Sequence, residues 1–185
     1  MIIKLHGTSG AGKSTAVRAL MDLGKAVPLG DKPSKPEAYC VLMRDLDLPV
    51  YVLGSYENQC GGMDGITSVD EQISLIHKYA KLGNVLYEGL LLSTYYGKLG
   101  AAVKQYGTNH VWAFLDTPME VCIERVKQRR LSKGNEKPFN EENTRSRQRA
   151  IDSLRRKREA AGDRVVTIHY DQLVGSQLWE IYHAG

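Results

Sequence analysis

Cysteine is scarce in this chain: three residues among 185 (Cys40, Cys60, Cys122), odd in number and without metal-ligand spacing. Free thiols in a reducing compartment are therefore expected rather than a disulfide framework or a thiolate metal site. Long apolar runs are missing too. The longest, such as residues 111–115, are only strand-length, and the N-terminal residues lack the basic, apolar, small-residue order of a signal peptide. No membrane association and a cytoplasmic location are the expectation. Repeats and low-complexity tracts are absent, which removes solenoid and fibrous architectures. What is left, 42% hydrophobic and 25% charged residues, suits an ordinary globular chain, and residues 1–185 fit one domain with one core.

Charge is mild in total, +4, but uneven in distribution. Residues 125–158 carry thirteen Lys/Arg against four Asp/Glu, so the rest of the chain is net acidic. Such a block attracts polyphosphate or nucleic acid, although a solvated helical face would look the same.

Short β-rich runs alternate with helical periodicity along the chain. Strands are predicted at residues 2–6, 39–43, 50–53, 84–88, 110–116 and 164–170. Helices are predicted at 14–23, 69–82, 94–106, 118–131, 141–161 and near Gln177. Ser68 followed by Glu71 reads as a capping box before the second helix. Residues 24–35, punctuated by Gly24, Pro28, Gly30 and Pro33, read as a loop. Alternation of this kind predicts an α/β fold with a mainly parallel sheet covered on both faces, its ligands at the C-terminal strand ends. Five strands, starting near residues 2, 50, 84, 110 and 164, make that sheet, and the run at 39–43 forms a small hairpin with 50–53.

The first strand ends in Gly7-Thr8-Ser9-Gly10-Ala11-Gly12-Lys13-Ser14, a full match to G-x-x-x-x-G-K-[ST]. The residue types answer to phosphate chemistry. Glycines let backbone N–H groups of Gly10, Ala11, Gly12, Lys13, Ser14 and Thr15 close on an anion. Lys13 puts a point charge at the β- and γ-phosphates, and the Ser14 hydroxyl can ligate Mg²⁺. The helix that follows aims its positive end at the same anion. ATP with Mg²⁺ is the expected cofactor pair. A strand ending in Glu88-Gly89 offers an acid beside Ser14 for the metal.

Phe114-Leu115-Asp116-Thr117-Pro118 followed by Glu124-Arg125-Val126-Lys127-Gln128-Arg129 adds a strand, a proline-led helix and E-R-x-x-x-R. With the glycine loop and the acid-Gly, these resemble the adenylate-kinase-like group of P-loop nucleotide and metabolite kinases over nearly the whole length. The resemblance implies a three-layer P-loop NTPase fold and kinase activity. It implies that Arg125 stacks on the donor base and Arg129 reaches the phosphates, and their i, i+4 spacing puts both on one helix face. A basic helical lid, residues 131–160, would supply Arg145 and Arg149 to the transferring group.

The acceptor side departs from the monophosphate kinases. No basic residue follows Glu88-Gly89 in Leu90-Leu91-Leu92, and Arg44 is the sole arginine between Gly30 and Ile76. A missing arginine clamp argues for a hydroxyl acceptor. Residues 54–65 carry Gly54-Ser55-Tyr56-Glu57-Asn58-Gln59-Cys60-Gly61-Gly62-Met63-Asp64-Gly65. Tyr56 could stack on a ring, Asn58 and Gln59 could read a base edge, and Asp64 could take the hydroxyl proton as general base. Asp45 and Asp47 are alternative bases. This G-x-Y-x-x-x-x-G-G-x-D loop, with the glycine loop, resembles the phage kinases of 5-hydroxymethyluracil in DNA. That resemblance implies DNA carrying a hydroxymethylated pyrimidine as acceptor, in host cytoplasm. A small-molecule nucleoside or nucleotide kinase is the alternative, followed by an NTPase without an acceptor and by a nucleic-acid-binding protein.

Overall fold

The computed structural model describes residues 1–32, 34–58, 61–66, 68–89, 96–135 and 137–184. Its centre is strand β1 (Ile2–His6), buried along its whole length between β5 (Asn84–Glu88) and β6 (His110–Leu115), both parallel to it. Strands buried on both faces need continuous apolar or satisfied side chains, which Ile-Ile-Lys-Leu-His supplies with two polar exceptions. Beyond β6 lies β7 (Arg164–Ile168), also parallel. On the other side β4 (Val50–Leu53) pairs parallel with β5, then β3 (Ala38–Leu42) and β2 (Lys25–Leu29) continue antiparallel. The sheet order is β2-β3-β4-β5-β1-β6-β7.

The expected five parallel strands are present, but among the described residues the sheet has seven. The hairpin is not a separate unit, since β3 and β4 are members of the same sheet. Strand β2 falls where Gly24, Pro28 and Gly30 predicted loop. Its edge position explains the difference, because an edge strand needs no outward N–H from Pro28. Exposure along β2 likewise hides any two-residue periodicity of burial.

Helices α1 (Lys13–Met21) and α6 (Val174–His183) cover one face. Ala16, Val17 and Leu20 of α1 pack there with Ile3, Leu5, Leu178 and Tyr182. Burying a side chain such as Leu20 fully is worth about 1.5–3 kcal/mol. Gly175 lets the two helices cross closely, for a Cβ there would stand 2.6 Å from the Ala19 carbonyl carbon. The opposite face is covered by α2 (Val69–Ala80), α3 (Tyr96–Val103) and part of a long helix, α5 (Glu141–Ala160). Between these, α4 (Met119–Leu131) follows β6 and buries Cys122, Ile123 and Val126. Pro118 is the N-cap of α4 rather than its first helical residue. Ser68 caps α2 by accepting from the Glu71 N–H at 3.3 Å. The predicted start of α3 at Thr94, and the Leu90-Leu91-Leu92 run, lie outside the described residues. Among those described, no helix is long and apolar enough to cross a membrane.

Helix α5 is tied down along its length. Thr144, Ile151, Leu154 and Arg158 are buried on it. Arg158, counted above within the basic block, stands 3.7 Å from the centroid of the Trp112 ring and pairs with Asp163 at 3.1 Å. Arg155 donates to Thr167 and lies over Phe114. A swinging lid made of all of 131–160 would have to break these contacts. The segment between α4 and α5 carries no such anchors among its described residues, apart from the Arg130 bonds to Asn135 and Lys137 and its contact with Phe139.

Candidate active site

Because β1, β4, β5, β6 and β7 run the same way, their C-terminal ends share one edge of the sheet. The glycine-rich loop leaves β1 there and enters α1. Gly10 and Gly12 hold φ of 83° and 94°, a region that glycine enters without Cβ strain. Gly10 has a second constraint: a Cβ on it would lie 2.2 Å from the Cys122 carbonyl oxygen, so the loop can rest against α4 only as glycine. Thr117 Oγ1 donates to the Ala11 carbonyl at 2.7 Å and Thr8 Oγ1 to the Thr144 carbonyl at 3.2 Å. The loop is thus braced by α4 on one side and α5 on the other.

Lys13 Nζ is held over the loop by the carbonyls of Gly7 (2.9 Å) and Thr8 (3.3 Å). One residue on, Ser14 Oγ donates to Glu88 Oε1 at 2.8 Å and accepts from the Gly61 N–H at 3.1 Å. Glu88 is 1% exposed. Burial pushes its carboxyl pKa up, opposed by attraction to Lys13, the Ser14 hydrogen bond and Lys4. Lys4, wholly buried in β1, has its pKa pushed down by burial to about 7, with Glu88 and Asp64 drawing it back up. Two hard oxygen donors side by side beneath the lysine suit Mg²⁺, which takes oxygen ligands and keeps several waters.

These groups line a cavity of about 590 Å³, with residues 9–15, Gly61, Asp64, Glu88, Leu115, Arg125, Gln128, Arg129, Ser132, Tyr170 and Val174 around it. That volume is in the range of small-ligand sites. Gly10, Ala11, Gly12, Lys13, Ser14, Thr15, Arg125, Arg129, Glu88 and Asp64, picked from the sequence, therefore converge. Arg125 Nη1 donates to the Gly10 carbonyl at 3.4 Å and its guanidinium lies 5.9 Å from the Tyr170 ring centroid.

Asp64 occupies a short 3-10 turn, Met63–Gly65. The turn is pressed onto the end of β5, since a Cβ on Gly62 would meet the Glu88 carboxyl carbon at 2.8 Å and one on Gly89 the Asp64 Oδ1 at 3.2 Å. Asp45 and Asp47 are elsewhere. They lie between β3 and β4, where Val41 pairs with Val50 and Val50 with Asn84, so their turn is at the opposite edge of the sheet. A strand length separates them from the cavity, which neither lines.

The other acceptor-side expectations fare differently. Tyr56 is not displayed for stacking. It is 6% exposed, packs edge-on to Tyr39 at 6.0 Å and lies under Gly61, where a Cβ would stand 2.2 Å from Tyr56 Cδ1. The apolar ring has been taken into the core, and burial pushes its hydroxyl pKa well above normal. Asn58 is exposed and does not line the cavity; its carbonyl accepts from Arg18. Gln59 lies outside the described residues. Arg145 pairs with Glu120 (3.3 Å) and Glu141 (3.5 Å), and Arg149 with Glu142, so neither lines the cavity in this arrangement.

Sequence reasoning passed over several residues of the site. Arg18 reaches the acceptor loop from α1, donating to the carbonyls of Tyr56 (2.9 Å) and Asn58. It lies in the helix after the glycine loop, outside both stretches where a phosphate clamp is expected, residues 30–76 and those after Glu88-Gly89. Tyr170 is expected as the last residue of a strand over 164–170, but β7 ends at Ile168 and leaves Tyr170 just past its C-terminal end. Asp116 fixes it, accepting from the Tyr170 N–H at 2.9 Å while contacting His169 Nδ1 at 2.7 Å. A charge within an apolar strand was the available signal for Lys4.

No protein-family model matches the chain. Individual proteins do. A 5-hmdU DNA kinase of Pseudomonas phage PaMx11 is 36% identical over 173 residues, 92% of this chain and 91% of that protein. A 5-hmdU DNA kinase of Pseudomonas phage M6 is 28% identical over 179 residues, covering 91% of each. A third, from Delftia phage PhiW-14, is 25% identical over 196 residues, 98% of this chain and 67% of that protein. At the first of these identities, sustained along nearly the whole of both chains, this chain belongs to the family of 5-hmdU DNA kinases and is a phosphotransferase.

Proposed function

We propose that the chain transfers the γ-phosphoryl group of ATP to the hydroxymethyl oxygen of 5-hydroxymethyluracil in DNA. The observation that carries this reading is the convergence of Lys13, Ser14, Glu88 and Asp64 on one cavity in a chain whose relatives bear that name. The fold we assign is that of the P-loop NTPases, built as one domain over residues 1–185.

The loop N–H groups and Lys13 hold the donor's phosphates, while Arg125, with Tyr170 near its face, flanks the donor base. Ser14 and Glu88 would hold Mg²⁺. Bound there, the ion would offset charge on the β- and γ-phosphate oxygens. Asp64 accepts the proton of the hydroxymethyl O–H as its oxygen bonds to the γ-phosphorus. The bond from that phosphorus to the bridging oxygen breaks, and ADP leaves with the bond's electron pair. Arg129 lies on the cavity wall where it can meet charge on the equatorial oxygens. The lid we assign is narrower than the 131–160 read from sequence: the segment between α4 and α5, with Arg145 and Arg149 available to it only after their ion pairs exchange. DNA would meet exposed residues of α5, among them Arg147, Arg149 and Arg156.

The test is incubation with γ-labelled ATP and Mg²⁺ against DNA containing 5-hydroxymethyluracil, ordinary DNA, free nucleosides, nucleoside monophosphates and water alone. Label on the modified DNA supports the reading. Label only on a monophosphate, or phosphate release without acceptor, overturns it.

A further inference from the structure

Lys4 belongs to none of the motifs, yet it occupies the middle of the central strand and is wholly buried. An ammonium there costs several kcal/mol of desolvation unless partners offset it, and an apolar side chain of equal length would serve stability at least as well. Its contacts point to the strand end next to the site. Nζ donates to the Gly89 carbonyl at 3.0 Å and lies 5.0 Å from the Tyr87 ring centroid. Gly89 is the residue after Glu88 and the one on which Asp64 rests, a Cβ there standing 3.2 Å from Asp64 Oδ1 and 3.7 Å from the Asp64 nitrogen.

We propose that Lys4 is a positioning residue for phosphoryl transfer: it anchors the Gly89 peptide and thereby sets where Asp64 stands relative to the glycine loop. The inference rests on the reading of Asp64 as the base for the acceptor hydroxyl. It follows the order Lys4 Nζ, Gly89 carbonyl, Asp64, with no contact between Lys4 and the donor needed. Misplacing a reacting group by about 1 Å can cost roughly 100-fold in rate, so a single buried hydrogen bond can matter this much.

The experiment compares wild type with Lys4→Met, which keeps length and volume while removing the donor. Lys4→Met is expected to melt at or above the wild-type temperature, to keep its KM for ATP within about threefold, and to lose roughly 10- to 100-fold in kcat on hydroxymethyluracil DNA. Amide hydrogen exchange in residues 61–65 should accelerate about tenfold while β1 amides stay protected. A merely structural lysine would move stability and activity together and loosen β1 as well. Gly89→Ala approaches the same contact from the other side, pushing on Asp64 without touching Lys4, and should reproduce the kcat loss even if Lys4→Met fails to fold. Wild-type kcat with unchanged exchange in Lys4→Met, or in Gly89→Ala, overturns the proposal. The exchange measurement needs no acceptor, so it decides the role of Lys4 even if wild type leaves the DNA unlabelled and the functional reading falls.

Discussion

Ser14 Oγ sits 2.8 Å from Glu88 Oε1, joining the first turn of α1 to the end of β5 across 74 residues of sequence. Each would be unremarked alone, a helix-start serine and a strand-end acid. Together they offer two oxygens to one small cation.

Glu88→Gln keeps the shape and the hydrogen bond to Ser14 but removes the charge. We expect its turnover at saturating ATP to fall at least about 100-fold and its Mg²⁺ requirement to rise, since one anionic ligand is lost. Mg²⁺ titrations of activity measure this. A variant with wild-type Mg²⁺ dependence would remove Glu88 from the metal site.

Asp64→Asn should spare ATP binding and lower transfer by roughly two to four orders of magnitude. Asp47→Asn, altering a turn at the far edge of the sheet, should behave as wild type. Equilibrium ATP binding and single-turnover labelling of modified DNA separate the two. Equal losses in both variants would mean that neither acts as base.

Arg125→Ala and Arg129→Ala should differ in kind. Arg125 touches the Gly10 carbonyl and stands near Tyr170, a ground-state setting, so its loss should chiefly raise KM for ATP. Arg129 should chiefly lower kcat if its contact strengthens as charge spreads over the transferring group. Steady-state kinetics at fixed acceptor tests the split, and interchangeable phenotypes would argue against it.

Acid stability follows from the buried histidines. Burial, with Arg158 and Lys4 nearby, holds the His110 pKa down to about 3, against about 6.5 in an unfolded chain. Between those values the unfolded chain binds a proton that the native one does not, so stability falls as pH falls through that window. His110→Gln can keep a hydrogen bond to Tyr87, which His110 Nε2 meets at 3.0 Å, and cannot be charged. The stability gap between wild type and this variant should narrow by about 1.6 kcal/mol from pH 6.5 to 5. Denaturant unfolding at several pH values measures it, and a constant gap would refute the assignment.

Much of this architecture can be read before any coordinate is known, because its central parallel strands are buried and therefore mainly apolar, with few polar interruptions. The glycine loop, Glu88 and the Arg125/Arg129 pair are legible for a similar reason: local spacing fixes which face each takes. What fails to show is whatever depends on partners distant in sequence. Strand β2 is exposed and carries Pro28, so its pairing with β3 leaves no periodic trace. Tyr56 looks like a ring for stacking because nothing local says that Tyr39 and Gly61 enclose it. Asp45 and Asp47 look as eligible as Asp64 until the antiparallel turn of β3 into β4 carries them to the wrong edge.

Arg158 bears on how DNA binding should respond to salt. An arginine already stacked on Trp112 and paired with Asp163 is not placed to neutralise a DNA phosphate, so it releases none of the cations condensed on the DNA. Lys127, bridged to Glu141, and Arg155, bridged to Glu159, are partly spent in the same way. Counterion release, not formal charge, sets the slope of affinity against salt concentration, at about 0.9 per phosphate neutralised. Arg149, bridged to Glu142, is spent likewise, so the slope should fall well short of what thirteen basic residues would give.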